Sequence, residues 1–121
     1  TLLQRRKVKM HELGILSAMV KTIEQIAEKE KLEKIEKIVL EVGELSGVVP
    51  SYLESCYPAA VYKTFMENTK LELQIVPGIA RCNECQEEFN AVEYDLKCPK
   101  CGSQNLTALS GRDLLIKEIA C

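Results

Sequence analysis

The spacing of four cysteines constrains this chain most. Cys82-Asn83-Glu84-Cys85 and Cys98-Pro99-Lys100-Cys101 are two C-x-x-C pairs with twelve residues between them. A C-x-x-C turn brings two sulfurs to one ion, and its backbone amides can steady their charge. Zn(II) prefers four tetrahedral ligands, and thiolates satisfy it. Cys82, Cys85, Cys98 and Cys101 would therefore close the shell and leave no position for water, so the site reads as structural zinc. An iron centre of rubredoxin type is the main chemical competitor, and a pair of disulfides is a poor third. Residues 81–105 carry little aliphatic mass. Such a segment cannot bury enough apolar surface to fold unaided, so the metal has to supply what the core lacks. Phe89 and Tyr94, between the two pairs, suit a small hairpin packed beside the metal.

Paired C-x-x-C cysteines point to a reducing compartment, and the simplest placement is the cytoplasm. No apolar run approaches the roughly 18 residues a membrane span needs, and the basic start is not followed by the apolar stretch of a signal peptide. Of the other two cysteines, Cys56 reads as a small core residue and Cys121 as exposed; neither is assigned a function.

Zinc ribbons often bind nucleic acid, but the charge here has the wrong sign. Between Arg81 and Asn105 the basic residues are Arg81, Lys97 and Lys100, against Glu84, Glu87, Glu88, Glu93 and Asp95. An acidic module with two aromatic residues is a poor partner for phosphate and a thin stacking surface.

The chain around the module alternates helix and strand patterns. From His11 to about Lys31, Leu13, Leu16, Met19, Val20, Ile23, Ile26 and Ala27 recur at helical spacing, which predicts a helix with one buried face. Residues 34–42 alternate, with Ile38, Leu40 and Val42 on one face, and predict a half-buried strand ended by Gly43. A second short strand is allowed over residues 44–49. Pro50-Ser51 opens a second helix through Phe65, closed by Asn68-Thr69, which Pro58 should kink or split. Residues 70–76 form a strand with Leu71, Leu73 and Ile75 inward, and residues 114–120 form another. Returning the last strand to the first sheet makes the cysteine module an insertion. Residues 1–9, rich in Gln, Arg and Lys, read as a flexible remnant of cloning or of an upstream start; a genuine basic arm is the alternative.

Met10-His11-Glu12 opens the first helix, and His11 is the chain's single histidine. A lone histidine at a helix start is usually a surface residue. With one histidine no Ser–His or Cys–His pair is evident, and no phosphate-cradling glycine loop occurs, so no enzyme is expected. Yet Met-His-Glu, then Val42-Gly43-Glu44-Leu45-Ser46-Gly47-Val48, then C-x-x-C and C-x-x-C-G, then Gly111-Arg112-Asp113-Leu114-Leu115-Ile116-Lys117-Glu118-Ile119 stand in a specific order. In that conjunction, from Met10 to Cys121, the chain resembles the HypA/HybF family of nickel metallochaperones.

The resemblance implies an α+β fold: two helices on a small mixed sheet, with a four-cysteine zinc-ribbon module inserted before the last strand. It implies a nickel-binding α/β domain of residues 10–80 and 108–121, and a zinc-binding domain of residues 81–107. It further implies transferable Ni(II) at Met10, His11 and Glu12, and delivery to the large subunit of [NiFe]-hydrogenase with a HypB-like GTPase. Urease maturation proteins are further implied partners. The expected protein binds neither nucleic acid nor membrane and is a monomer or a homodimer.

The nickel chemistry follows from ligand preference. Ni(II) accepts nitrogen-rich, square-planar surroundings. A histidine second in a chain offers its imidazole and its own backbone nitrogen beside the terminal amine. Glu12 would add a carboxylate or orient the imidazole. In this sequence the Met10 nitrogen is in a peptide bond to Lys9, which removes one such ligand. A zinc-ribbon adaptor or nucleic-acid-binding module without nickel transfer is the alternative function.

Overall fold

The structure is a computed structural model. It describes residues 11–121 in full, and residues 2–10 only through the bounds of the first helix. The expectations placed on residues 1–9, and on Met10 as a nickel ligand, lie outside the described residues.

The elements in order are α1 (Leu2–Lys29), β1 (Lys37–Gly43), α2 (Pro50–Val61), β2 (Lys70–Val76), β3 (Ile79–Cys82), β4 (Glu88–Asn90), β5 (Leu106–Ala108) and β6 (Leu114–Ala120). They form two three-stranded sheets, ordered β2-β1-β6 and β4-β3-β5. The last strand does return to the first sheet, so the cysteine module is an insertion. The fold is α+β.

The first sheet is mixed. Glu36 N–H donates to Ala120 O at 2.8 Å and Gly43 N–H to Asp113 O at 3.0 Å. One strand advances as the other retreats, so β1 and β6 are antiparallel. Lys70 N–H donates to Glu36 O at 2.9 Å and Glu44 N–H to Val76 O at 3.0 Å; these advance together, so β1 and β2 are parallel. The second sheet is antiparallel throughout, with Ala80 opposite both Phe89 and Ala108.

Two compact units result: Thr1–Leu40 with Val49–Leu73 and Ile116–Cys121, and Glu41–Val48 with Gln74–Leu115. In the first, α1 packs on α2 through its apolar stripe. Leu16, Met19, Val20, Ile23 and Ala27 are buried, as are Leu53, Tyr57 and Val61 of α2. The Tyr57 hydroxyl donates to Thr69 O at 2.8 Å, and the Thr69 hydroxyl to Ile35 O at 2.7 Å, so both of these hydroxyls are satisfied. Helix α1 ends where Lys31 turns left-handed (φ 55°) and Leu32 N–H bonds back to Ala27 O, a Schellman-type stop.

Several details differ from the sequence-based expectation. Val39 is buried as deeply as Ile38 and Leu40, because β1 is the central strand and is covered on both faces. Ile75, expected inward, is 51% exposed; it lies on edge strand β2, two residues before Pro77 leaves the sheet. Ile26 is also exposed, at the rim of the α1 stripe. Helix α2 runs through Pro58 unsplit, but it ends at Val61 and not beyond Phe65. Tyr62 leaves the helical region and Lys63 turns left-handed (φ 56°). Residues 44–49 form turns and no strand: the Ser46 hydroxyl donates to Gly43 O and accepts from Val48 N–H.

Candidate metal site

The four cysteines sit in two knuckles of the same construction. In the first, Cys82 N–H donates to Glu87 O at 2.8 Å and Gln86 N–H to Cys82 O at 2.9 Å. In the second, Cys98 N–H donates to Ser103 O at 2.9 Å and Gly102 N–H to Cys98 O at 2.8 Å. The fourth residue after each leading cysteine is left-handed: Gln86 at φ 67° and Gly102 at φ 76°. The sequence announces this bend only at the glycine.

Strand β3 delivers the first knuckle, and β4 and β5 brace it. Ala80, Cys82, Phe89, Ala91 and Cys98 form one buried cluster, with Leu45, Cys85 and Leu106 packed against it. In place of a hairpin between the two pairs, β3 and β4 form one that turns through the first knuckle and holds Phe89, while Tyr94 lies in the turn that follows; the sheet's third strand, β5, was not expected from the sequence. Phe89 is buried, and the Tyr94 ring meets it edge-on at 6.0 Å. Asn83 ties the knuckle to the chain before β5: its N–H donates to Asn105 O, its Nδ2 to Asn105 Oδ1, and its Oδ1 accepts from Thr107.

The sulfurs converge. All four lie within 4.8 Å of one another. Cys82 Sγ is 3.5 Å from Cys101 Sγ, and Cys85 Sγ is 3.4 Å from Cys98 Sγ. A tetrahedral ion with metal–sulfur bonds of about 2.3 Å sets its sulfurs roughly 3.8 Å apart, so the donor set fits such an ion with little movement. None of the six cysteines is in a disulfide. The thiols differ in acidity. Cys82 is lowered to about 7, chiefly by the backbone N–H of Cys85, with the Cys101 thiol also donating to it. For Cys98 burial acts upward, but the amides of Cys101 and Lys100 overcome it and the net shift is down. In Cys85 and Cys101 backbone amides, of Glu87 and Ser103, act downward; the neighbouring thiols and burial prevail, raising Cys85 and taking Cys101 to about 12. Cys82 and Cys98 are thus the more acidic pair and Cys85 and Cys101 the less acidic.

The 44–49 turn is fastened to the module by Glu44. Its carboxylate accepts from Gly78 N–H at 2.8 Å and from Asn90 Nδ2 at 2.9 Å. The Gly78 amide, then Asn90, hold its carboxyl below the usual range. Gly43, Gly78 and Gly111 let three backbones meet here: a Cβ on Gly78 would lie 2.6 Å from Leu45 Cγ. Glu44 and Asn90 were not singled out from the sequence. No local pattern marks a contact across 46 residues.

His11 and Glu12 have opposite fates. His11 is exposed, while Glu12 is fully buried. Glu12 Oε2 accepts from Val49 N–H, the cap position of α2, at 3.4 Å. Its Oε1 is buried with no hydrogen-bond partner among the described residues. The burial had a legible signal: Glu12, Leu16, Val20 and Ile23 continue one helical stripe by one turn toward the start of α1. Neighbouring positions on a helix point about 100° apart, which separates the exposed imidazole from the buried carboxylate. Among the described residues, no helix is long and apolar enough to cross a membrane.

Residues 10–121 match the family model HypA, described as hydrogenase/urease nickel incorporation, metallochaperone. Hydrogenase maturation factor HypA of Geobacter metallireducens is 36% identical over 110 residues, 91% of this chain and 97% of that protein. Its counterpart from Geobacter sulfurreducens is 37% identical with the same coverage. A solution structure of the Ni metallochaperone HypA from Helicobacter pylori superposes with a TM-score of 0.64 at 24% identity, covering 90% of this chain and 95% of that one. A second solution structure, of a HypA protein, gives 0.64 at 25% identity.

Proposed function

The chain belongs to the HypA family of hydrogenase maturation metallochaperones, and on that footing we propose that it carries Ni(II) at its Met-His-Glu segment and hands it on during [NiFe]-hydrogenase maturation. The observation that carries this reading is the contrast between its two donor sets. The cysteines are a partly buried four-sulfur cluster held by two hydrogen-bonded knuckles. His11 is an exposed imidazole near the start of the family match at residue 10. A closed set of four thiolates holds its metal; an exposed histidine can exchange ligands with a client. We assign zinc to Cys82, Cys85, Cys98 and Cys101, where it steadies the module that residues 81–107 form. Nickel goes to His11, joined by the Met10 nitrogen where the chain begins at Met10, within the α/β domain of residues 10–80 and 108–121.

Glu12 enters as the buried carboxylate behind His11. Its Oε2 fixes α1 to the cap of α2 through Val49 N–H, and its Oε1, without a partner among the described residues, is the group left over for the cation. The reading makes the protein a carrier and no catalyst, working in the cytoplasm with a HypB-like GTPase and the hydrogenase large subunit. Urease maturation is a second client route, matching the family description.

Calorimetric titration of Ni(II) into the chain beginning at Met10, against its His11→Ala variant, tests the assignment. The expected result is one nickel per chain in the first and loss of that binding in the second. Equally tight binding by both would remove His11 from the site. The same titration on the full 121-residue chain measures what a free Met10 amine contributes.

A further inference from the structure

The turn between the two knuckles has no part in holding metal, yet it is built at some cost. Val92, Tyr94 and Leu96 are 48%, 47% and 53% exposed, three large apolar side chains within five residues. The turn that displays them is firmly tied. Val92 N–H and Glu93 N–H both donate to Asn90 Oδ1 at 3.0 Å. Leu96 N–H donates to Ala91 O at 2.8 Å, and Lys97 N–H to Tyr94 O at 3.0 Å. Asp95 and Leu96 are both left-handed, at φ 53° and 63°. Leucine pays roughly 1–2 kcal/mol for that conformation, which aspartate tolerates better and glycine adopts freely. A turn that served only to connect the knuckles would carry glycine or asparagine there and polar side chains at the exposed positions.

Tyr94 is set as an anchor. Its ring is fixed edge-on against Phe89, which belongs to the same buried cluster as Cys82 and Cys98. An exposed aromatic that is already immobilised loses little entropy when a partner covers it.

Charge identifies the partner. Over residues 81–105 three basic residues face five acidic ones, and the remaining thirteen basic and thirteen acidic residues cancel. The whole formal charge of −2 therefore resides in this module. Four thiolates around a divalent ion would add two further negative charges. Glu93 and Asp95 alternate with the apolar residues of the turn itself, and both are exposed. This surface repels nucleic acid, anionic lipid and a second copy of itself.

We propose that the 92–96 turn is a docking surface for a basic segment of a protein partner, whose apolar side chains seat on Val92, Tyr94 and Leu96 while its lysines or arginines face Glu93 and Asp95. The proposal makes no use of nickel and stands apart from the chaperone reading.

The test uses the full chain loaded with zinc and three fluorescein-labelled helical peptides. The first alternates leucine and lysine at helical spacing, the second replaces lysine with glutamate, and the third replaces leucine with serine. Fluorescence anisotropy is expected to show saturable binding of the first peptide alone, weakening as salt rises. Affinity should fall about tenfold in Tyr94→Ser/Leu96→Ser and at least about threefold in Glu93→Gln/Asp95→Asn, while Leu115→Ser, an exposed apolar residue outside the turn, changes nothing. In the unmodified protein, amide shifts on adding the peptide should centre on residues 89–97, a reading that does not depend on any variant folding. Failure of the leucine–lysine peptide to bind, equal binding of the glutamate peptide, an equal loss in Leu115→Ser, or shifts centred elsewhere would each overturn the proposal.

Discussion

A Cβ placed on Gly43 would lie 2.1 Å from the carbonyl oxygen of Gly111. The two residues are 68 positions apart, and the contact is backbone on backbone. Gly111 is tight on its other side as well: its own Cβ would lie 2.6 Å from Pro77 O, and it is left-handed at φ 77°. Leu45 N–H donates to Gly111 O at 2.7 Å and the Ser110 hydroxyl to Pro77 O at 2.8 Å. The entry and exit of the inserted module are therefore pinned side by side against the end of β1. Gly43→Ala and Gly111→Ala should each cost more than about 3 kcal/mol, since neither contact is to a side chain that can move aside. Gly14 is the control. It lies in α1 with nothing within 4 Å of its Cβ position, so Gly14→Ala should stabilise by roughly 0.5–1 kcal/mol. Urea unfolding of the three variants checks the order; a mild Gly43→Ala would show that this junction is loose.

Glu44 gives the junction a pH dependence. Its folded carboxyl is held below the ordinary value of 4.5, first by Gly78 N–H and then by Asn90. The sign follows from linkage: a lowered folded pKa adds stability above the unfolded pKa, and that stability is lost as pH falls through the folded value. In Glu44→Ala the fall in stability between pH 5 and pH 3 should be shallower than in the native chain. Amide exchange at Gly78 should quicken at pH 7, where the native carboxylate is charged and bonded. Parallel acid-unfolding curves for the two proteins would show that Glu44 does not fasten the turn.

The cysteine cluster should release protons when it takes up zinc. Metal binds thiolate, so every thiol still protonated must give up its proton. Near pH 7 Cys85 and Cys101 lie above their usual range, Cys82 is near its midpoint and Cys98 is lowered. More than about two protons should therefore leave per zinc at pH 7, and affinity should weaken as pH falls. Calorimetry in buffers of different ionisation enthalpy measures the number. Removing the metal, or Cys98→Ala, should unfold the module while α1 and α2 keep their far-ultraviolet signal. A module that stays fully ordered without metal would show that its small apolar cluster suffices.

How much of this was legible in the chain depends on whether the determinant was local. The C-x-x-C spacing foretold a four-sulfur cluster, and the 3.6- and 2-residue periods located both helices and the strands of the first sheet. What escaped was tertiary. Val39 is buried because β1 is central, and no alternation within one strand reports its neighbours. The left-handed turn at Gln86 is set by Cys82 and its knuckle rather than by a glycine. Strand β5 has three residues, too few to show a period. The Gly43–Gly111 and Glu44–Asn90 contacts join distant segments, and Gly43, read from sequence as a strand end, proves to be a crossing point.

Glu12 sets the last prediction, because its burial costs the fold something. A carboxyl oxygen buried without a hydrogen-bond partner among the described residues is unfavourable, and the other oxygen receives only one long bond, 3.4 Å from Val49 N. Glu12 sits one turn before Leu16 in the buried stripe, so leucine would fit the pattern. Replacing a buried acid by an apolar residue of similar volume is often neutral or stabilising. Glu12→Leu should therefore melt no lower than the native chain. If the carboxylate is kept for the cation at His11, the same variant in a chain starting at Met10 should bind Ni(II) about tenfold more weakly. Glu12→Gln, which keeps an acceptor for Val49 N–H, should retain the fold and share the nickel defect. Melting by circular dichroism beside nickel calorimetry separates the two roles. A Glu12→Leu protein that melts far below the native one and binds nickel normally would make the carboxylate a structural tie between α1 and α2.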